Sequence, residues 1–224
     1  MKTPISSRLL ACCDYVAPGD RIADVGCDHG YLGIHLLLSG MASHVIAADI
    51  RPAPLECAVK NGSKYGCADK MTFCLSDGVQ SVPRDFDTLV CAGMGADVMI
   101  SILEKAPWLH SVQYRLVLQC QSKTPMLRRY LCETGWRISR ETVLRDGRFL
   151  YTVIEAVWAP GPVLTPGGCY VSPALLLCGS PLLPEYICWV RKHLALSVTG
   201  QAKAADSWEA LALAELEQIK EENL

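Results

Sequence analysis

The fold is decided by the stretch Arg21-Ile-Ala-Asp-Val-Gly-Cys-Asp-His-Gly-Tyr-Leu32. Its first half is an apolar strand pattern that ends at Asp24 and Val25, and a turn follows at Gly26. A helix is predicted to begin near Gly30 and to continue through Tyr31. A strand, a glycine turn and a helix in this order are typical of the first unit of a nucleotide-binding α/β domain.

The spacing in this turn, acid-x-Gly-x-x-x-Gly, distinguishes between two cofactors. A dinucleotide fingerprint needs G-x-G-x-x-G to hold a pyrophosphate at a helix N-terminus, and Asp28 would stand at its second glycine. A carboxylate there repels pyrophosphate, whereas S-adenosylmethionine carries a cationic sulfonium and ammonium and no phosphate. The loop therefore resembles that of class I methyltransferases. The predicted cofactor contacts from this loop are Asp24, Gly26, Cys27, His29, Gly30 and Tyr31.

Three further positions follow later strands, at the sheet edge where α/β proteins bind ligands. Asp49 ends the second strand, where a carboxylate can accept both ribose hydroxyl protons. Asp77-Gly78 follows the third strand, and Asp77 is predicted to bond the adenine amino group. Gly93-Met94 follows the fourth strand and leaves room beside the reacting methyl group.

Strand and helix patterns alternate along the first 160 residues, which predicts a parallel sheet. An antiparallel pair closes the sheet through a turn at Asp146-Gly147, so the expected architecture is a Rossmann-like α/β sheet of seven strands. The predicted strands are 21–26, 44–49, 71–75, 88–92, 114–119, 136–144 and 149–158, and the predicted helices are 5–16, 31–38, 52–65, 96–103 and 124–134.

Proline and glycine clusters near residue 160 predict a boundary between a methyltransferase domain (1–160) and a helical domain (161–224). Two helices are predicted in the second domain, over Glu185–Leu196 and Ser207–Glu222, with a loop at Thr199-Gly200. Their apolar stripes suit a helical hairpin. The stripes contain Trp189, Leu196, Leu211, Leu216 and Ile219.

Bulk composition is that of a globular protein: 224 residues, 50% hydrophobic and 20% charged, with net charge −2. We see no signal peptide and no apolar run long enough to span a membrane, which favours the cytoplasm. The 12 cysteines form no C-x-x-C pair, so reduced thiols in the core are expected and no metal site is predicted.

Charge is distributed unevenly. Between Arg115 and Arg148 there are eight Lys and Arg residues against three acids, while Glu209–Glu222 is acidic. A basic face of this kind suits nucleic-acid phosphates, although an ordinary solvated surface explains it equally well. The arginines expected to contact RNA are Arg128, Arg129 and Arg145.

Several segments together resemble the bacterial tRNA (adenine(22)-N1)-methyltransferases, the TrmK family. The resemblance covers almost the whole chain, including Ser7-Arg8-Leu9 and the C-terminal helices, which form a coiled-coil-like appendage in that family. The segments are Ala23-Asp-Val-Gly-Cys-Asp-His-Gly-Tyr-Leu32, Ala92-Gly-Met-Gly-Ala96, Leu116-Val-Leu-Gln119, Leu127-Arg-x-x-Leu-x-x-x-Gly-Trp136 and Asp146-Gly-Arg-Phe-Leu-Tyr151.

The resemblance implies S-adenosylmethionine as cofactor, tRNA as partner and methylation of adenine N1. Asp28 is the expected catalytic residue near the target base, with a turn-capping role as its alternative. Three positions depart from the family: Cys120-Gln121 replaces the usual Pro-Asn, Ala96-Asp97 follows Gly95 where a second glycine is usual, and Asp49 replaces Glu. Because the Pro-Asn segment lies near the target base in related enzymes, Gln121 is a candidate substrate contact.

Two other functions fit the residues. One keeps the cofactor but methylates another RNA base, a small molecule or a protein. The other is a non-catalytic protein that retains the fold.

Overall fold

A computed structural model of the chain describes residues 3–200 and 204–219. Seven strands form one sheet in the order β3-β2-β1-β4-β5-β7-β6, in which β7 pairs antiparallel with β5 and β6 and the other pairs are parallel. The strands are β1 Asp20–Val25, β2 Ala42–Asp49, β3 Met71–Leu75, β4 Thr88–Gly95, β5 Arg115–Ser122, β6 Trp136–Asp146 and β7 Phe149–Trp158. The predicted seven-stranded α/β fold is confirmed.

Helices cover both faces of this sheet and extend beyond its β6 edge. They are α1 Ser7–Cys13, α2 Tyr31–Leu38, α3 Pro52–Lys64, α4 Ala96–Glu104, α5 Thr124–Glu133, α6 Pro166–Tyr170, α7 Pro173–Leu176, α8 Leu183–Gly200 and α9 Trp208–Glu217, with 3-10 turns at Ala68–Lys70 and Pro107–Leu109. The bounds predicted for α2 and β3 agree with the structure. The leading helix is shorter than predicted, because the Ser6 hydroxyl caps it by accepting from the Leu9 amide and Asp14 ends it.

Three apolar clusters hold these layers together. One lies between the sheet and α4 and α5, and contains Leu89, Met99 and Leu127. A second lies on the opposite face against α1, α2 and α3. The third joins Val143 of β6 to residues of α7, α8 and α9, including Leu175. Burial of these apolar surfaces is the main favourable term in folding.

The C-terminal helices pack as a hairpin, but not along the predicted stripe. Leu216 is buried and Ile219 packs against the third cluster, whereas Trp189, Leu196 and Leu211 are exposed. The buried face of α8 is made instead by Leu183, Tyr186, Ile187, Val190 and Leu194. The predicted loop at Thr199-Gly200 is also wrong, because α8 continues through Gly200 and the Thr199 hydroxyl donates to the Ala195 carbonyl within the helix.

The end of the second predicted helix, 220–222, lies outside the described residues, and the boundary at residue 160 stays a prediction. All 12 cysteines are free thiols, and seven of them are buried. Within residues 3–200 and 204–219, no helix combines the length and apolar character needed to cross a bilayer.

Candidate cofactor and substrate site

The site lies at the carboxyl ends of β1 and β4, two neighbouring strands at which the strand order reverses. Ligands bind at such a reversal because the loops on either side diverge and leave a crevice. The turn after β1 needs glycine at residue 26, where φ is +76° and a Cβ would lie 2.2 Å from Met94 Cε. Gly26 and Met94 therefore bring the two loops close together.

Two adjoining cavities open at this edge, with volumes of about 470 Å³ and about 310 Å³. The larger lies on the side of α1 and β5, and the smaller on the side of β3 and α4. The two share Gly26, Asp49, Ile50, Met94 and Val98 as wall residues. The loops after β1, β2, β3 and β4 thus surround one extended binding region.

Asp24 is the buried acid of this region. Its Oδ2 is shielded from solvent and has no hydrogen-bond partner among the described residues, although Asp24 lines the larger cavity. Burial raises the pKa of Asp24 to about 7, and the neighbouring Asp49 carboxylate adds to this, while a hydrogen bond from the Gly33 amide lowers it. An unpaired buried carboxylate oxygen is costly unless a donor meets it, so Asp24 suits a cationic or hydrogen-bonding ligand.

Asp49 is held rigidly at the end of β2. Its Oδ2 accepts from the Asp28 amide at 3.2 Å and its Oδ1 accepts from the Arg51 amide at 2.9 Å. Each carboxylate oxygen keeps a further lone pair. The side chain is almost wholly buried yet lines both cavities, so its remaining acceptor capacity faces the binding region.

Asp28 occupies the corner of the first loop in a left-handed conformation, with φ +49°. This conformation is uncommon outside glycine, and Asp is one of the residues that tolerates it. The Asp28 carboxylate is exposed and lines the larger cavity, with His29 Nε2 3.7 Å from its Oδ2. The carboxylate is therefore accessible to a substrate that enters from solvent.

The three residues after Asp28 do not line the cavities, although the sequence predicts cofactor contacts at each of them. His29, Gly30 and Tyr31 contribute to the walls of neither cavity. The His29 carbonyl accepts from the Asn61 side chain, and the Tyr31 ring lies edge-on to Tyr65. The Tyr31 ring therefore packs toward the end of α3, whereas His29 Nε2 stays 3.7 Å from the Asp28 carboxylate. Gly30, with φ +73°, is needed for the start of α2.

The other predicted cofactor residues do reach the cavities. Cys27 and Gly93 line the larger one, and Asp77 and Gly78 line the smaller one. Asp77 Oδ2 already accepts from Lys105 Nζ at 2.9 Å and from Gln80 Nε2 at 3.2 Å, so its other oxygen is the one open to a ligand.

The sequence reasoning missed wall residues that come from distant parts of the chain. The buried Gln119 fixes the β4 loop, since its Oε1 accepts from the Gly93 amide at 3.1 Å. Arg8 of α1 lines the larger cavity, and its Nε lies 2.6 Å from Asp146 Oδ2 while its guanidinium stacks over Tyr151. One feature of the sequence could have indicated this pair, because Arg8 and Asp146 both belong to segments that resemble the TrmK family.

Comparison with known proteins agrees with this geometry. Residues 5–154, more than half of the chain, match the family described as a methyltransferase domain. The chain belongs to the methyltransferase domain family. Its matched region contains α1 and all of the cavity walls described above.

Relatives of this methyltransferase domain include a Bacillus subtilis (strain 168) protein named tRNA (adenine(22)-N(1))-methyltransferase. It is 28% identical over 153 residues, which are 68% of this chain and 64% of the relative, so the match spans less than two thirds of that protein. A Streptococcus pneumoniae structure described as a candidate tRNA (m1A22) methyltransferase is 27% identical, covers 96% of both chains and has a TM-score of 0.81. Its complex with S-adenosyl-L-methionine is 26% identical, covers 95% of this chain and 99% of that one, and has a TM-score of 0.83.

The arginines predicted to contact RNA are not equivalent in the methyltransferase structure. Arg128 is wrong as a phosphate contact, because its side chain is 0% exposed and its Nη2 lies 2.7 Å from Glu141 Oε1. Its Nη1 donates to the carbonyls of Cys169 and Tyr170 at 2.9 and 2.8 Å. Arg128 therefore connects the sheet to the C-terminal helices.

Arg129 and Arg145 are exposed but already paired. Arg129 Nε lies 2.7 Å from Glu133 Oε1 and its guanidinium stacks on Trp208, while Arg145 pairs with Glu185. Six of the eight cations between Arg115 and Arg148 form ion pairs with carboxylates: Arg115, Lys123, Arg128, Arg129, Arg140 and Arg145. The stretch does not form a single unpaired basic face.

Gln121 takes a central position. It lines the larger cofactor cavity and also a third cavity between β5 and α8. Of the predicted substrate contacts, Gln121 is thus the one whose place joins the cofactor region to a neighbouring cleft.

Proposed function

We propose that this protein transfers a methyl group from S-adenosylmethionine to N1 of adenine 22 in tRNA. The observation that carries the proposal is similarity over 96% of both chains, C-terminal helices included, to a structure described as a candidate tRNA (m1A22) methyltransferase. The named Bacillus subtilis relative supports the same activity.

The cavity residues fit the cofactor. The orphaned Asp24 oxygen suits the ammonium group of S-adenosylmethionine, and the spare lone pairs of Asp49 suit the two ribose hydroxyls. Asp77 and Gly78 line the end that would take the adenine ring. When bound, the cofactor supplies an electrophilic methyl group on a cationic sulfur.

Catalysis in this proposal is mainly positioning. The lone pair of neutral adenine N1 needs no prior deprotonation, so the walls near Gly93 and Gln121 must hold the base about 3 Å from the methyl carbon and in line with it. The product is cationic until its amino group loses a proton. In this proposal the exposed Asp28 carboxylate, which lines the same cavity, stabilises that developing charge.

The change at Cys120-Gln121 is compatible with this role. The Cys120 thiol is buried and donates to the Ser122 carbonyl at 3.0 Å, so it serves the backbone of β5. Gln121 keeps a side-chain amide in the cavity wall, where the resembling family usually has asparagine. An amide there can contact an adenine edge through both a donor and an acceptor.

The test is methylation of tRNA with labelled S-adenosylmethionine, using tRNA from cells that lack the modification. We expect labelled 1-methyladenosine at position 22 and no label in a transcript with guanine at that position. Label in another nucleoside would redirect the activity to a different RNA base. Absence of transfer, with cofactor binding intact by calorimetry, would support a non-catalytic member of the family.

A further inference from the structure

A third cavity, of about 310 Å³, lies between the end of β5 and helix α8. Its walls carry an unusual density of rings, contributed by β7, α6 and α8. The ring-bearing residues are Tyr151, Tyr170, Tyr186, Trp189 and His193. We call this cavity the aromatic cleft.

Trp189 is one of the exposed rings of the cleft. The residue is 48% exposed, although the sequence pattern places it in a packing stripe. Its ring centroid lies 4.2 Å from that of His193, and 6.1 Å from that of Tyr186 at an interplanar angle of 30°. The indole thus belongs to a group of neighbouring rings on α8 and keeps about half of its surface exposed, as an aromatic side chain that stacks on a base must.

Polar groups in the cleft suit the edge of a planar ligand. His193 Nδ1 lies 2.8 Å from the Trp189 carbonyl, so Nδ1 is the donor and Nε2 is left as an acceptor in the neutral ring. Gln121 adds a side-chain amide to the wall, and Lys123, whose ammonium group pairs with Asp97, adds a cation. An amide and an imidazole nitrogen can both hydrogen-bond to the edge of a nucleobase.

The position of the cleft identifies its occupant. Gln121 lines both the cleft and the larger cofactor cavity, and Tyr151 of the cleft stacks with Arg8 of that cavity. An RNA strand whose target base occupies the methyl-transfer position would therefore bring its adjacent nucleotide to the cleft. We propose that the aromatic cleft holds the nucleobase adjacent to the target adenine, stacked on Trp189.

This inference rests on the proposed function, since the occupant belongs to the same RNA strand. It adds a specific requirement: the flanking base must leave its own stack together with the target. Stacking on a protein aromatic side chain tolerates any sequence, because every base has a π-face. The cleft would therefore increase the affinity for tRNA without discriminating between bases at the flanking position.

The experiment compares Trp189→Ala, Trp189→Phe and a control, Leu196→Ala, on the same helix. Leu196 is exposed and does not line the cleft. We expect Trp189→Ala to raise the KM and Kd for tRNA by about 5- to 150-fold, the range for loss of one stacked base. Trp189→Phe should lose much less, and Leu196→Ala should equal wild type. The Kd for S-adenosylmethionine should be unchanged in all three.

A second measurement ties the effect to one nucleotide. Abasic residues are placed singly on either side of the target adenine and assayed with wild type and Trp189→Ala. One of these positions should weaken wild type as Trp189→Ala does, and the two losses should not multiply when combined.

The outcomes separate this inference from the proposed function. Normal methylation at position 22 with an unchanged tRNA KM in Trp189→Ala would overturn the inference and leave the proposed function intact. Fully multiplicative losses at both flanking positions would also overturn it. Wild type that fails to methylate tRNA at all would overturn both.

Discussion

Replacing Arg128 by methionine is expected to loosen the C-terminal helices from the sheet. Methionine keeps most of the apolar stem but removes the guanidinium. Glu141, itself 0% exposed, would retain one side-chain partner, Ser172 Oγ at 2.6 Å. The Cys169 and Tyr170 carbonyls would lose the donor they share.

The expected cost follows from this arrangement. Breaking a buried ion pair by removing one partner destabilises a protein by about 3–5 kcal/mol, since an uncompensated charge remains inside. For a chain of this size, 1 kcal/mol corresponds to a Tm change of about 2–4 °C, so we expect a decrease of roughly 6–20 °C. Thermal and urea unfolding monitored by circular dichroism measure this change.

Two companion variants make the result interpretable. Arg129→Met removes a neighbouring arginine whose ion pair with Glu133 is exposed, and it should change the Tm far less. Arg128→Met combined with Glu141→Leu removes both buried charges, and it should recover about 2 kcal/mol or more relative to the single variant. With Glu141→Leu measured alone to complete the cycle, a double-variant loss smaller than the sum of the two single losses would identify the ion pair as the cause.

Either of two results would refute this reasoning. The first is an Arg128→Met protein as stable as Arg129→Met, because removing one partner of a buried pair leaves the other charge uncompensated. The second is unchanged stability with selectively weakened tRNA binding, which would restore the role in phosphate contact that the sequence suggested for Arg128.

Three predictions concern the cofactor region. Asp49→Ala should weaken S-adenosylmethionine binding by about 1–3 kcal/mol, because the ribose hydroxyls lose their acceptor; calorimetry that gives wild-type affinity would exclude this role. Asp28→Asn should lower kcat much more than cofactor affinity, whereas equal losses would make Asp28 a binding residue only. Asp24 has a pKa of about 7, so affinity for the cationic cofactor should rise from pH 6 to pH 8 in wild type and stay flat in Asp24→Asn. In the folded apoprotein the same carboxyl keeps its proton up to a pKa of about 7, whereas in the unfolded chain it releases the proton near its ordinary pKa of 3.8. Its contribution to apoprotein stability therefore falls as pH rises from 3.8 to about 7, and an Asp24→Asn variant with the pH profiles of wild type would contradict both statements.

Local sequence was sufficient for the framework of the fold. The apolar run into Asp24 and the glycine at residue 26 fix a strand and a turn through short-range sterics, so their place in the structure follows from neighbours in the chain. The helix over Tyr31–Leu38 begins directly after Gly30 and ends at Ser39, so its bounds also follow from neighbouring residues. The carboxyl ends of parallel strands meet at one edge, and this rule placed Asp49 and Asp77 beside the same binding region.

Charged and aromatic side chains were harder to place, because their environment depends on distant residues. The sequence shows Arg128 as one cation in a basic stretch, and only packing of α6 and β6 around it makes it a buried partner of Glu141. Tyr31 follows the loop by number, but its ring packs edge-on against Tyr65 at the end of α3.

The sequence by itself determined the α/β sheet, the acid-bearing glycine loop and the preference for a cationic cofactor over a pyrophosphate. Those properties depend on backbone conformation and on charges within a few residues of one another. Only the tertiary structure decided that Arg8 meets Asp146 across 138 residues and that Trp189 opens into a cleft beside Gln121. Such contacts arise when separate elements pack together, and one-dimensional spacing carries no information about which face of an element its neighbour will cover.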